Sequence, residues 1–242
     1  MNHVEVSENM FELRVSFETA DSMGANFINT ALEAMSGFLV TYLSQNFSGS
    51  ERNANVVMAI LSNNTPNCLV QCTVEAPFSA FDSFDSNGDG KAFATTFKKA
   101  VDIALADSYR AVTHNKGIFN GVSAVLLATA NDFRAVEAAG HAFAVKNGKY
   151  ASLSRVILSE NLFRLELQIP LAIGTVGGLT KTHPMAAQSF RLLGEPDAKT
   201  LMMIIASAGL ASNFAAVNAL ISGGIQRGHM KMHLNNILLQ LN

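Results

Sequence analysis

The feature that most constrains the fold is a long uncharged segment near the C-terminus. No charged residue occurs between Leu201 and Ile221, and about 20 apolar residues are enough to cross a bilayer. The segment also contains small and amide residues, namely Ser207, Gly209, Ser212, Asn213 and Asn218. Because amides in lipid are costly unless they are hydrogen-bonded, we predict a tightly packed core helix rather than a membrane span.

The composition limits the class of protein. Apolar residues make up 49% of the 242 residues, so the chain can bury enough surface to fold, which excludes intrinsic disorder. A net charge of −2 argues against a nucleic-acid-binding surface. Charged residues are only 15%, against about 25% in typical soluble domains, and we expect the additional buried surface between subunits. Two cysteines form no disulfide framework, and the first residues resemble no signal peptide, so we expect a cytoplasmic protein.

The first part of the chain is predicted to be a β-α-β-β unit. Apolar and polar residues alternate from Phe11 to Glu18, which indicates a half-buried strand. Asp21 occupies the N-cap position of a helical pattern that extends to about Gln45. Two further strands are predicted at Asn55–Leu61 and Cys68–Glu75, separated by a turn-rich segment.

The remainder is predicted to be mainly helical, with one β-hairpin. The predicted helices are Lys91–Thr113, two short helices within Gly117–His141 broken near Asn131, Pro184–Gly194, one from Asp197 to Gly223, and a short tail over 225–242. The hairpin is predicted at Arg155–Leu158 and Phe163–Ile169. Together these elements predict an α+β fold.

One acidic loop partly matches a calcium-binding pattern. Asp85, Asn87 and Asp89 stand at positions 1, 3 and 5 of such a loop, and Gly90 stands at position 6. Position 12, which should carry a bidentate glutamate, is Thr96. A solvated turn therefore explains the loop better, and a calcium-responsive module is kept only as an alternative.

A histidine pair has the spacing of metal ligands, and a cysteine pair lies in a strand pattern. His229 and His233 are four residues apart, which puts both on one face of a helix, but no third ligand is evident. Cys68 and Cys72 follow a strand pattern and are interpreted as core residues. We predict no metal site.

Two glycine-containing segments are typical of places where a backbone approaches a ligand. Gly174-Thr175-Val176-Gly177-Gly178 follows a predicted strand, and its N–H groups could approach an anion or an extended cofactor. Asp21-Ser22-Met23-Gly24-Ala25-Asn26 places a glycine in the first turn of a predicted helix. A structural turn and a simple helix cap explain the two segments equally well.

Lys116 and Asp132 are charged residues in apolar surroundings. Lys116 follows a predicted helix, and Asp132 lies sixteen residues later. A cation and a carboxylate brought together in such a place keep each other ionised. The pair could belong to an active site or form a structural ion pair.

Taken together, these segments resemble class II 3-hydroxy-3-methylglutaryl-CoA reductase, the bacterial form of that enzyme. The matching motifs, in the family's order, are Asp21–Asn26, Asn115–Gly121, Asn131–Ala135, Ile169–Gly178 with Lys181–Pro184, and Gly224–Met230. The resemblance implies a mainly helical large domain and a small, partial, ferredoxin-like cofactor-binding domain. It assigns residues 1–76 to the cofactor domain, 77–222 to the substrate-binding and catalytic domain, and 223–242 to a truncated C-terminal flap.

The resemblance also implies a reaction. It is the four-electron reduction of 3-hydroxy-3-methylglutaryl-CoA to mevalonate and CoA by NADH or NADPH, or its reverse. Lys116 would stabilise negative charge on the carbonyl oxygen, Asp132 would hydrogen-bond Lys116 and keep it charged, and His229 would protonate the departing thiolate of CoA. Arg110 and Asn120 match positions that contact the hydroxymethylglutaryl group. The family's enzymes imply a homodimer or higher oligomer with active sites at the interface, and neither nucleic acid nor a membrane as a partner.

The sequence has residues at the family's cofactor-binding positions, but it lacks other segments that the family has. The residues that match nicotinamide-dinucleotide contacts are Asp21, Met23, Gly24, Asn26, Gly174, Thr175, Val176, Gly177 and Gly178. The sequence contains no E-N-x-x-G segment, which supplies a catalytic glutamate in the family. Part of the N-terminal region and most of the flap are also without a counterpart. The alternative is therefore a truncated, catalytically impaired homologue that binds ligand without turnover.

Overall fold

The computed structural model describes residues 2–7 and 10–222. The strands are β1 (Asn2–Ser7), β2 (Met10–Arg14), β3 (Leu69–Pro77), β4 (Val145–Lys146), β5 (Lys149–Tyr150), β6 (Ser154–Leu158) and β7 (Leu162–Pro170). The α-helices are α1 (Ala25–Asn46), α2 (Gly90–Ala106), α3 (Ser108–Ala128), α4 (Phe133–Phe143), α5 (Pro184–Leu192) and α6 (Ala198–Ser222), with 3₁₀ helices at Gly49–Asn53 and Phe78–Phe84. This mixture of helices and small antiparallel sheets confirms the predicted α+β class.

A three-stranded antiparallel sheet of order β3-β7-β6 supports the core. The central strand β7 pairs Leu167 with Cys72 of β3 and Leu165 with Val156 of β6. Phe163, Leu165 and Leu167 are almost completely buried. The middle of the sheet thus provides an apolar surface on which helices pack.

Aromatic rings fill the space between this sheet and the helices. Phe97 of α2 is fully buried, and its ring centroid lies 5.4 Å from that of Phe163 and 5.1 Å from that of Phe214. Phe81 contacts Phe163 at 4.9 Å. Aromatic side chains bury large apolar areas, so this cluster is a main source of stability.

Helices α3 and α6 cross at unusually close range. A Cβ atom on Gly121 would lie 2.2 Å from the carbonyl oxygen of Ala208, and one on Gly209 would lie 2.7 Å from a methyl group of Val122. Helix α6 is long and apolar enough to cross a membrane by length and composition. Its contacts with α3 and the sheet are nevertheless those of the core helix that the sequence predicts.

A buried polar cluster joins α3, β6 and α6. His114 Nε2 lies 2.7 Å from Ser154 Oγ, and Ser154 Oγ donates to Asn213 Oδ1 at 2.9 Å. Asn213 Nδ2 lies 3.2 Å from His114 Nε2. Burial, and secondarily the positive charge of Arg110, lower the pKa of His114 to about 4. The imidazole is therefore neutral in the folded protein at neutral pH.

The N-terminal strands differ from their prediction. The strand expected over Phe11–Glu18 ends at Arg14, and β2 is exposed throughout because, among the described residues, it pairs only with β1. Asn55–Leu61 forms no strand, since no described strand lies beside it, and its end is held by Asn29 Oδ1, which accepts from Leu61 N at 2.9 Å.

The strand predicted at Cys68–Glu75 is confirmed as β3, shifted by one or two residues. It pairs with β7 and so crosses the predicted domain boundary at residue 76. The division into domains therefore stays a prediction.

Two of the predicted helices have other boundaries in the structure. The helix expected over Lys91–Thr113 is divided at Asp107, whose carboxylate accepts from the N–H groups of Tyr109 and Arg110 and so caps α3. The first of the two short helices expected within Gly117–His141 is instead the second half of α3, and the break near Asn131 is confirmed. The hairpin, α5 and α6 match their predictions.

The carboxylates of the loop that resembles a calcium site accept hydrogen bonds from nearby backbone N–H groups. Asp85 Oδ2 accepts from Asn87 N at 2.8 Å, and Asp89 Oδ1 accepts from Lys91 N at 3.0 Å at the start of α2. This geometry favours the turn interpretation. The predicted helical tail and the pair His229 and His233 lie outside the described residues.

Candidate functional site

Two glycine-containing loops, far apart in sequence, lie against each other. The first contains Asp21 and precedes α1, and the second is Gly174–Gly178, between β7 and α5. Thr175 N and Val176 N donate to the carbonyl oxygen of Asp21 at 2.8 and 3.3 Å. A Cβ atom on Gly174 would lie 2.7 Å from Met23 N. The structure thus brings together the two segments that the sequence predicts to bind a dinucleotide.

The side chain of Asp21 has a different partner from the expected one. It does not cap α1, which begins at Ala25 after Gly24 and has no side-chain cap. Instead, Asp21 Oδ1 accepts from Ala198 N at 2.9 Å and so caps α6. A negative charge is favourable at a helix N-terminus, so this contact fixes the first loop to the core helix.

Gly24 lies one position before the helix rather than within it. Its φ is 78°, and a Cβ atom would lie 2.6 Å from Thr19 Cγ2. Both observations explain a glycine here without a ligand. Met23 is half-buried beside Gly24, and Asn26, in the first turn of α1, is exposed.

The end of the second loop is exposed. Gly177 and Gly178 have φ values of 80° and 54°, and a Cβ atom on either would meet open space. Their N–H groups donate no hydrogen bond to any part of the chain that the structure describes. Thr180 Oγ1 donates to the carbonyl oxygen of Gly177 at 2.7 Å and holds the loop in place. Free backbone N–H groups with positive φ are typical of anion sites.

A third segment, the turn between α3 and α4, contacts the second loop. Asn131 Oδ1 accepts from Gly174 N at 2.8 Å. The next residue, Asp132, caps α4 by accepting from Arg134 N and Ala135 N at 3.1 and 3.3 Å. Its carboxylate also pairs with the Arg134 guanidinium at 3.2 Å. This guanidinium first, and then the two backbone N–H groups, hold the pKa of Asp132 below its usual value against partial burial.

The predicted substrate contacts lie on α3. Lys116 and Asn120 are exposed and four residues apart, so they share one face of the helix, while Arg110 is half-buried nearer its start. Lys116 was predicted to follow a helix, but it lies within α3. Its neighbour Asn115 is fully buried, and Asn115 Oδ1 accepts from Leu153 N at 3.0 Å, which fixes this turn of α3.

Lys116 and Asp132 do not meet within one chain. At about 1.5 Å per residue, the level of Leu126 lies roughly 15 Å beyond Lys116 along α3. The turn that contains Asp132 lies at the same height along the α3 axis as Leu126, because Asn131 N donates to the carbonyl oxygen of Leu126 at 2.9 Å. A lysine side chain reaches only about 6 Å. Among residues 2–7 and 10–222, the ion-pair partner of Asp132 is Arg134 and not Lys116.

Two further points concern the predicted roles. His229 lies outside the described residues, so its role stays a prediction. The contribution of Asn131 was missed, although asparagine in a turn after a helix is a recognisable signal. The sequence pattern did not show that the partner of Asn131 is Gly174, which lies 43 residues later.

Comparison with known proteins identifies the family. A model described as hydroxymethylglutaryl-coenzyme A reductase matches residues 1–234. The chain is 36% identical over 231 residues to a probable 3-hydroxy-3-methylglutaryl-coenzyme A reductase of Borreliella burgdorferi, covering 94% of this chain and 50% of that protein. It is 37% identical over 231 residues to the 3-hydroxy-3-methylglutaryl-coenzyme A reductase of Archaeoglobus fulgidus, covering 95% and 49%.

Solved structures agree with this assignment. The class II enzyme of Streptococcus pneumoniae bound to NADPH in open conformations is 40% identical, with a TM-score of 0.76 and coverage of 85% of this chain and 53% of that chain. A second structure from S. pneumoniae gives a TM-score of 0.77 at 40% identity and covers 92% and 51%. The chain thus spans about half the length of these relatives. The matching family model, the sequence identity to these relatives and the shared fold show that the chain belongs to the hydroxymethylglutaryl-coenzyme A reductase family.

Proposed function

We propose that the chain takes part in the reduction of 3-hydroxy-3-methylglutaryl-CoA to mevalonate and CoA by NADH or NADPH, or in the reverse reaction. Family membership supports this proposal. The observation that carries it is the convergence of the Asp21 and Gly174 loops with the Asn131–Asp132 turn. We also propose a cytoplasmic location without nucleic-acid or membrane partners, supported by the net charge of −2 and by the packing of α6 in the core.

A dinucleotide fits the loop that contains Gly177 and Gly178. Their N–H groups are exposed and free of described partners, and both positions have room for a phosphate. The segments Asp21–Asn26 and Gly174–Gly178 would together hold the cofactor. A bound nicotinamide dinucleotide supplies hydride.

The side chains on α3 would bind the substrate and stabilise charge. The Lys116 ammonium would interact with the thioester carbonyl oxygen as that oxygen becomes negative. Asn120 lies on the same face and would bind the hydroxymethylglutaryl group with Arg110. His229 would protonate the thiolate of CoA, because the pKa of a thiol, about 8.5, lies above that of an imidazole, about 6.5.

We propose that the site is shared between two copies of the chain. Lys116 lies in the middle of α3 and Asp132 lies beyond its C-terminal end, too far for the two to act together in one copy, whereas a dimer can join Lys116 of one copy to Asp132 of the other. The exposed face of α3 supports this arrangement. Beside Lys116 it contains Tyr109 at 91% exposure and Val112 at 56%, and exposed apolar side chains next to polar groups are typical of an interaction surface.

Oxidation of NADPH in the presence of 3-hydroxy-3-methylglutaryl-CoA tests the proposed reaction. We expect turnover by the full chain, reduced about 10²–10³-fold in Lys116→Ala, because one charge-stabilising group is lost. Lys99→Ala, which removes an exposed lysine from α2, should not change the rate. NADPH binding without any turnover would support the binding-only alternative, and equal rates in both variants would contradict the role of Lys116.

Mixing two impaired variants tests the shared site. Lys116→Ala and Asp132→Ala are each expected to retain at most about 1% of the wild-type activity. If the site combines Lys116 of one copy with Asp132 of the other, one site of each mixed dimer is intact, and the mixture regains about a quarter of the wild-type activity. No recovery after subunit exchange would contradict the shared site.

A further inference from the structure

A single side chain connects the turn that contains Asp132 to the loop that we propose binds the dinucleotide. We infer that Asn131 is a positioning residue, which sets the distance between the Asp132 carboxylate and the Gly174–Gly178 loop. This inference rests on the proposed function, and it goes further because Asn131 itself touches neither substrate nor cofactor in that proposal.

The amide of Asn131 can be oriented in only one way. Its Oδ1 accepts from Gly174 N at 2.8 Å. Its Nδ2 donates to Thr129 Oγ1 at 3.1 Å and lies 3.5 Å from the carbonyl oxygen of Thr129. Exchanging the two ends would face N–H against N–H at Gly174. Both ends of the amide are therefore matched to their partners.

The support behind Asn131 is rigid. Thr129 is fully buried, and its hydroxyl donates to the carbonyl oxygen of Val125 in the last turn of α3 at 2.8 Å. Asn131 N donates to the carbonyl oxygen of Leu126. The side chain of Asn131 is thus held from the end of α3, and Gly174 is positioned relative to that helix.

On the loop side, Asn131 and Asp21 use three successive N–H groups. Gly174 N donates to Asn131, and Thr175 N and Val176 N donate to the carbonyl oxygen of Asp21. Gly174 is buried between the two, where a Cβ atom would lie 3.2 Å from that same oxygen. The first free N–H groups of the loop are those that follow. Asn131 and Asp21 together therefore determine where the free N–H groups of the loop begin.

Asp132 is fixed by the same turn. Its carboxylate is held by the first turn of α4, one residue after Asn131. The backbone turns sharply just before it, since Ala130 has a φ of 54°. A displacement of about 1 Å between reacting groups can reduce a rate about 10²-fold. Within the described residues, the hydrogen bond from Gly174 N to Asn131 Oδ1 links this turn directly to the loop and resists such a displacement.

Two substitutions in the full chain separate this role from general stability. Asn131→Leu removes both hydrogen bonds at similar size, whereas Asn131→Asp retains the acceptor for Gly174 N and loses only the donor to Thr129. Ser108→Ala is the control, because it also removes a long-range bond, from Ser108 Oγ to the carbonyl oxygen of Tyr150, away from the loop. Amide hydrogen exchange at residues 174–176 and NADPH affinity by fluorescence are the measurements.

We expect Asn131→Leu to accelerate exchange at Gly174 by at least about tenfold and to weaken NADPH binding about tenfold, as for one lost hydrogen bond. Asn131→Asp should restore most of the protection, and Ser108→Ala should change neither quantity. Unchanged exchange at Gly174 in Asn131→Leu, or equal acceleration throughout β7, would overturn the inference. A wild-type chain that fails to bind NADPH would instead contradict the proposed function, while the exchange measurement would still decide whether Asn131 holds the loop.

Discussion

Helices α1 and α6 are both long and apolar, yet they have opposite surroundings. Helix α6 buries residues along its length, including Leu201, Ile205 and Leu210. Helix α1 buries none, and Phe38 is 78% exposed on its surface. The extended segment after α1 is similar, with Val57 and Met58 exposed at 77% and 74%.

The contrast shows what composition can and cannot determine. An apolar helix is predicted to be covered, but the covering surface must be supplied by another element. In residues 69–222, the core region, a sheet and several helices surround α6. In residues 10–61, the N-terminal region, the described residues contain no comparable sheet, so α1 has apolar side chains on its surface. Exposed apolar patches of this kind are typical of interaction surfaces.

The largest expected effect is on a matched pair of phenylalanines. Phe97→Ala in the core region should lower the free energy of unfolding by about 3–5 kcal/mol, because it leaves a cavity between Phe163 and Phe214. Phe38→Ala on α1 should change it by less than about 0.5 kcal/mol. Chemical denaturation measures both. A comparable loss in Phe38→Ala would show that α1 is covered in solution and would break the comparison.

The second effect is the pH dependence that a buried histidine of the core region, His114, contributes. Because the pKa of His114 falls from about 6.5 in the unfolded chain to about 4 in the fold, the unfolded state takes up the proton first as the pH falls. The free energy of unfolding should therefore decrease by about 2–3 kcal/mol between pH 7 and 4.5.

His114→Gln should remove this part of the pH dependence, and His141→Gln should retain it. Denaturation curves across that range measure the change. An identical pH dependence in His114→Gln would contradict the buried neutral imidazole. Residues 10–61 contain no histidine, so amide protection factors in α1, which are corrected for the intrinsic pH dependence of exchange, provide an internal reference.

The smallest effect compares two glycines inside helices. Gly121→Ala should destabilise the protein by about 1–3 kcal/mol, because its Cβ atom would overlap the carbonyl oxygen of Ala208. A Cβ atom on Gly37 in α1 meets nothing within 4 Å, so Gly37→Ala should stabilise by about 0.5–1 kcal/mol. Thermal denaturation gives both signs, and the same sign for both would contradict the described packing of the two helices.

Much of the local structure could be predicted because its causes are local. The alternation that gives the hairpin β6–β7 and the helical period of α5 and α6 lie within each segment. Asn55–Leu61 has the composition of a strand but forms none, because a strand also needs a neighbouring backbone. Asp107 divides a continuous helical pattern because its carboxylate caps the N-terminus of α3, although the apolar period continues through it.

For the candidate site, the sequence alone determined which residue types occur and in what order, and that order was enough to indicate the family. Only the tertiary structure decided that Asp21 caps α6, that Asn131 holds Gly174 and that Lys116 is remote from Asp132 in one copy. The physical reason is distance along the chain. Periodicity and capping act within a few residues, whereas these contacts join segments that meet only after α3, α6 and the sheet have packed.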